Sequence, residues 1–299
     1  MATDPQSIEL ACESCGARIL IEPLMRTATC PYCDSPSVVD RPESPGRPDP
    51  VFAVGFAVDR ETAARGIRQW LRSRWFVPAE LKAARAESIR GIYLPTYLYS
   101  ATADTMYTAV VGEIYETTRV DLKKKGVRRV QEIEYQDLKG EHALHLADVV
   151  VTASGGLPNA EIEAIEPFDL EQLARYSPGL ISGWISEEPS LSAEECRVQA
   201  RQESVARIDR LLRAFMPGDT LRKLRHHTRF KNEAIELCLL PVWVFAIRRG
   251  QGKAPVRFLV NGQTGKVHGS APVDWKKIAA AAAAAAALLA LIALVGWVL

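Results

Sequence analysis

The sequence predicts an α+β protein with an N-terminal zinc ribbon, a main antiparallel-sheet domain carrying a duplicated α-β-β unit, and a C-terminal transmembrane helix. Three observations predict it. Two C-x-x-C pairs stand fourteen residues apart near the N-terminus. Two Leu-Pro strands recur in the middle of the chain, each preceded by an amphipathic helix. The last twenty-two residues carry no charge and no polar side chain. The resulting expectation is a ribbon over 8–40, a proline-rich linker over 41–50, the main domain over 51–275 and an anchor over 276–299.

The ribbon comes first. Cys12-Glu-Ser-Cys15 and Cys30-Pro-Tyr-Cys33 each turn two thiolates toward one centre, the pattern of tetrahedral Cys₄ coordination. One structural Zn²⁺ is therefore expected on Cys12, Cys15, Cys30 and Cys33, with no coordination position left for water. About thirty residues bury too small a core to fold alone, so metal binding is expected to contribute on the order of 10 kcal/mol. A redox C-x-x-C is the alternative, but it normally occurs singly in a βαβ context. The segment carries two basic residues, Arg18 and Arg26, against the acids Glu9, Glu13, Glu22, Asp34 and Asp40. Phosphate binding needs the opposite sign, so protein contact is the expectation and nucleic acid is disfavoured.

From Pro36 to Pro50 five prolines predict a stiff extended spacer, up to about 45 Å long at about 3.1 Å per residue, holding the ribbon away from the main domain. The main domain itself shows the repeat. "YLPTYLYS" at 93–100 aligns with "LLPVWVFA" at 239–246. The first preceding helix starts at Asp59 as N-cap, places Ala63, Ile67, Trp70 and Leu71 on one face, and ends before Pro78. The second opens with a capping box, Ser192 with Glu195, and spaces Val198, Val205, Ile208, Leu211, Leu212 and Phe215 helically. Hairpin partners are expected at Met106–Ile114 and Val256–Val260, with long antiparallel strands over 109–154 between the copies. The Tyr and Trp side chains of the Leu-Pro strands read as core.

The net charge of +1 conceals a segregation. Residues 132–195 hold fourteen acids and two bases, a net of −12, whereas 197–257 hold fourteen bases and five acids, a net of +9. Lys123, Lys124, Lys125, Arg128 and Arg129 crowd one hairpin tip around Gly126. Lipid contact and plain solvated surface are both open for these basic stretches.

The C-terminal stretch 278–299, "IAAAAAAAAALLALIALVGWVL", spans roughly 33 Å as a helix, enough for a hydrocarbon core of about 30 Å. Lys276 and Lys277 precede it and Trp275 and Trp297 bracket it, so a single-pass tail anchor with residues 1–277 cytoplasmic is expected. Nine consecutive alanines are weakly hydrophobic, so insertion rests on the Leu/Ile/Val/Trp half. A packed C-terminal helix is the alternative.

The succession "FAVDRETAARGIRQWLRSRWFVP", "GIYLPTYLYS", "LADVVVTASGGL", "PFDLEQLARYSPGLISGW", "LLPVWVFAI" and "FLVNGQTGKVHGSAPVDWKK" resembles a bacterial family of zinc-ribbon membrane proteins. Its members are labelled primosomal-protein-N′-like (replication-restart helicase-like) or transcription-factor-IIB-type zinc-ribbon proteins. The resemblance covers Cys12 to Lys277. It implies action beside phage-shock-protein-A-like or band-7-like membrane-stress proteins, hence a recruiting role.

Catalytic signatures are missing from the sequence itself. A P-loop needs G-x-x-x-x-G-K-[ST] opening a helix, and Gly262-Gln-Thr-Gly265-Lys266-Val267 is two residues short and hairpin-like. Neither G-x-S-x-G nor H-E-x-x-H occurs. His142 and His145 fall on opposite strand faces, His226-His227 lies in a basic surface stretch, Cys238 reads as core and Cys196 shows no partner. The expectation is a non-enzymatic, tail-anchored adaptor that brings protein partners to a membrane lipid bilayer. The alternative is a membrane-tethered nucleic-acid binder.

Overall fold

In the computed structural model the described residues are 8–11, 18–21, 26–29, 36–38, 48–82, 89–121, 126–247 and 256–298. Strand β1 (Ile8–Ala11) pairs antiparallel with β2 (Arg18–Ile21), and β3 (Thr27–Thr29) with β4 (Pro36–Val38). These are two separate two-stranded sheets. Cys12, Cys15, Cys30 and Cys33 fall in their connections and lie outside the described residues. Among the described residues no group of three or more His, Cys, Asp or Glu is placed to hold a metal ion. The zinc ribbon expected over 8–40 is thus not an element of the described fold.

Most of the linker expected over 41–50 lies outside the described residues. Pro36–Val38 is a strand, and the segment at 26–28 is hydrogen-bonded within the first of the units described below. Arg26 N donates to the Ser186 carbonyl at 2.8 Å, and Thr27 Oγ1 accepts from Ser186 N at 2.9 Å while donating to the Trp184 carbonyl. The Arg26 guanidinium reaches Asp49 at 2.9 Å, the Pro48 carbonyl at 2.8 Å and Glu188 at 3.3 Å. Arg26 and Glu188 are both buried, and such a pair holds only while both partners are present, because each ion alone is costly to desolvate.

The chain divides into two compact units, one of 1–96, 154–190 and 238–299, the other of 97–153 and 191–237. The helix α1 (Arg60–Ser73) of the first unit is capped by Asp59, whose carboxylate accepts from Thr62 N at 2.6 Å. Behind α1 come a short α2 (Ala79–Lys82) and the long strand β6 (Arg90–Asp121), which follows β5 (Phe52–Ala53) in chain order and leads into β7 (Gly126–Thr152). Further on lie α3 (Asn159–Glu163), β8 (Ala174–Arg175), α4 (Pro178–Ile181), β9 (Ile185–Ser186), α5 (Ala193–Phe215), β10 (Thr220–Ile247), β11 (Val256–Asn261), β12 (Val267–Gly269) and α6 (Trp275–Val298).

Among the described residues one eight-stranded sheet runs β12-β11-β10-β5-β8, with β6 pairing β10, β7 and β9. It is mixed rather than antiparallel. β5 joins β10 in parallel and β9 joins β6 in parallel, each by two residues, because these short segments arrive from distant parts of the chain. The β10–β11 ladder is antiparallel, Val242 opposite Asn261 through Ile247 opposite Val256. Both Leu-Pro segments lie on long strands, β6 and β10. The partner expected at Met106–Ile114 is instead the continuation of β6 itself.

The core of the first unit packs α1 residues Ala63, Ile67 and Leu71 on Trp243, Phe245, Phe258 and Val260. Phe56 stacks on Trp184 at 4.1 Å and meets Tyr93 and Trp243 edge-on, so the strand aromatics are core, offset as ring quadrupoles prefer. Buried Asn261 donates to the Ile165 and Pro167 carbonyls, both at 3.0 Å, and accepts from Gln263 N and Thr264 N. That fixes the Asn-Gly turn.

α6 begins where the sequence placed an anchor. Among the described residues, however, no helix is long and apolar enough to cross a membrane. The described side chains of α6 run mainly through the alanine tract, which is only weakly hydrophobic. The Leu/Ile/Val/Trp half on which insertion depends has few described side chains. The expected tail anchor, and the single-pass location with a cytoplasmic bulk inferred from it, are overturned.

Candidate binding face

The second unit places a helix on one face of three long strand segments and leaves the other face open. Along β6 the odd positions Tyr97, Tyr99, Ala101, Ala103, Thr105, Tyr107 and Ala109 are buried, while Asp104, Met106 and Thr108 are not. β10 alternates the same way, Leu224, His226, Thr228 and Phe230 half-buried against Arg225, His227, Arg229 and Lys231 exposed. On β7, His142, Leu144 and Leu146 turn inward, and Glu141, Ala143 and His145 outward. Period-two alternation of this kind separates a covered from a solvated sheet face.

The covered face is held by α5. Ser192 and Glu195 form the capping box, with Glu195 N donating to Ser192 Oγ at 3.3 Å and Ser192 N to Glu195 at 2.8 Å. The buried stripe of α5 is Cys196, Ala200, Ser204, Ile208 and Leu212. Its small residues let the helix approach Tyr97, Tyr99 and Ala101 closely. Beside that contact, Arg201 clasps Glu233 with two hydrogen bonds of 2.7 Å, and Tyr99 donates to the same carboxylate at 2.8 Å. Arg201 holds the Glu233 carboxyl below its ordinary range. Burial, reinforced by Glu233, pushes the Tyr99 phenol up to about 12. Cys196 is buried too, its thiol pushed up to about 11 by desolvation and its Sγ 3.6 Å from the Thr152 carbonyl. A thiol so protonated is a core group, not a nucleophile.

The open face carries the candidate site. An open cleft of about 480 Å³ is lined by Asp104, Met106, Glu141, His142, His227 and Arg229, among others. Lys231 pairs with Asp104 at 2.7 Å. Toward the end of the strands the same face turns apolar. Ile114, Ile133 and Tyr135 are 43%, 38% and 39% exposed, and the Arg222 guanidinium lies 4.4 Å over the Tyr135 ring. Gly112 keeps this surface closely packed, since a Cβ there would meet Thr220, Ile133 and Tyr135 at 2.5–2.8 Å.

The residues singled out from sequence are not brought into one constellation. His142 is half-buried near Phe215, whereas His145 is exposed. His226 turns inward to Asp209 at 3.4 Å, and His227 outward to the cleft. Arg129 is exposed, while Lys123, Lys124 and Lys125 and the Arg128 side chain lie outside the described residues. Cys238 is core. Gly262–Lys266 forms the β11–β12 turn. The apolar end of the open face escaped the sequence reading.

No family model matches this chain, and no solved structure matches it. An uncharacterized protein of Bacillus subtilis (strain 168), YdjG, is similar, with 26% identity over 233 residues covering 77% of this chain and 66% of that protein.

Proposed function

We propose that the chain is a non-catalytic adaptor whose open sheet face in the second unit docks a protein partner. One observation carries this reading: Ile114, Ile133 and Tyr135 are exposed apolar side chains, with the Arg222 guanidinium 4.4 Å over the Tyr135 ring. Exposed apolar clusters with polar rims mark interaction sites, and Tyr and Arg are the residue types enriched at their energetic centres. The partnership with phage-shock-protein-A-like or band-7-like membrane-stress proteins that the family resemblance implies belongs to this proposal, with an acidic partner group suited to Arg222. Ile133→Ser combined with Tyr135→Ala is expected to remove a discrete set of co-captured proteins and to leave the circular-dichroism spectrum unchanged. An identical set of captured proteins in wild type and variant would sink it.

A second reading is nucleic-acid binding, favoured by the exposed row Arg225, His227, Arg229 and Lys231 on one face of β10. Backbone phosphate contacts make affinity fall steeply with salt. Binding of a labelled DNA duplex that weakens between low and moderate salt, and that Arg225→Glu with Arg229→Glu abolishes, would favour this reading over the first.

A further inference from the structure

In the first unit an aromatic pair stands open to solvent where α1 ends and α6 begins. Trp75 is 84% exposed and Trp275 76%, with Phe76 at 42% and Val273 at 49% beside them in the chain. The two segments are joined directly. Asp274 N donates to the Phe76 carbonyl at 2.7 Å, and Lys277 Nζ to the Val77 carbonyl at 2.7 Å. Basic residues neighbour the pair in the chain: Arg72, Arg74 and Lys276 are exposed, and Arg74 lies 4.9 Å over the Trp70 ring. Glu80 and Asp274 are the nearby acids, and Asp274 accepts from Lys276 N as a helix cap. From this patch α6 continues through Ala279–Ala287, every one of them exposed.

We propose that Trp75, Phe76, Val273 and Trp275 form a docking surface for an anionic phospholipid bilayer, lying at the headgroup level without crossing it. Tryptophan is the side chain that favours this boundary, since its ring is apolar and its N–H still meets water and headgroups. Lysine and arginine around it complement anionic phosphates while their stems cover apolar surface. A protein groove would satisfy the aromatics equally, but the basic neighbours and the uncovered alanine helix match an extended anionic apolar boundary better than a shaped pocket. The surface belongs to the first unit, and its argument does not rest on the adaptor reading.

The test uses the full chain and vesicles of phosphatidylcholine and phosphatidylglycerol in a three-to-one ratio, mixed, floated and quantified. Wild type is expected to float with these vesicles and about tenfold less with phosphatidylcholine alone. Trp75→Ala with Trp275→Ala is expected to lose at least about tenfold in partitioning. Phe215→Ala, an exposed aromatic in the other unit, is expected to leave it unchanged. Quenching of tryptophan fluorescence by brominated lipid should fall in the double variant. Equal flotation of wild type and double variant overturns the proposal. So does a wild type that ignores vesicles yet shows a light-scattering mass above one chain that the double variant abolishes, since the occupant is then a second copy.

Discussion

At the scale of single residues, the Tyr99–Glu233–Arg201 group shows how burial and charge set a titration. Glu233 is favoured as a carboxylate by Arg201, so its folded pKa is lowered. A lowered carboxyl contributes stability that is present above its unfolded pKa of about 4.3 and is lost as pH falls through the folded value. Tyr99 is favoured as the neutral phenol, pushed up to about 12. Its contribution is present below the unfolded value of about 10 and is lost as pH rises toward 12. Glu233→Gln is expected to cost about 1–2 kcal/mol at neutral pH, discounted because the Arg201 side chain is 42% exposed. The difference should shrink in acid. Denaturant melts of wild type and variant at pH 3, 7 and 11 check this, and a cost that does not change between pH 7 and pH 3 would contradict it.

At the scale of elements, the two helices differ in how openly their sequences declare a face. In α1 the buried residues Ala63, Ile67 and Leu71 are the apolar residues of a regular stripe, and the Asp59 cap is where the pattern places it. In α5 the large apolar residues divide: Ile208 and Leu212 lie on the buried stripe, and the others do not. Val198, Val205, Leu211 and Phe215 are exposed, and the covered stripe runs through Cys196, Ala200 and Ser204. Close approach to a sheet rich in Tyr selects small residues there, and small residues carry little hydropathy signal. Ala200→Leu is therefore expected to cost about 2–3 kcal/mol by overpacking, whereas Val205→Ala should fall within about 0.5 kcal/mol of wild type. Thermal melts of the two variants decide it. A larger loss from Val205→Ala would mean the buried stripe is the apolar one.

At the scale of the whole molecule, both units are assembled from discontinuous segments, and β6 and β10 belong to both. Neither unit is therefore one stretch of chain to be excised. The C-terminal helix is different. Its alanines at 279–287 are exposed throughout, so a chain ending at residue 278 is expected to melt within about 2 °C of the full chain. A fall of about 5 °C or more would show that α6 packs on the body.

Much of the local architecture is set by the sequence alone. The Asp59 cap and the Ser192–Glu195 box are decided by interactions within a few residues, which the chain carries wherever it goes. The assembly of those parts is decided elsewhere. Arg26 binds across to Ser186 and Glu188, far away in sequence. β5 and β9 enter the sheet in parallel by two residues each, a pairing without any repeat to announce it. The cleft and the apolar end of the open face gather β6, β7 and β10, and the Trp75–Trp275 patch joins residues two hundred positions apart. These arrangements depend on which faces the tertiary structure covers and which it leaves to solvent, and local chemistry does not encode that choice.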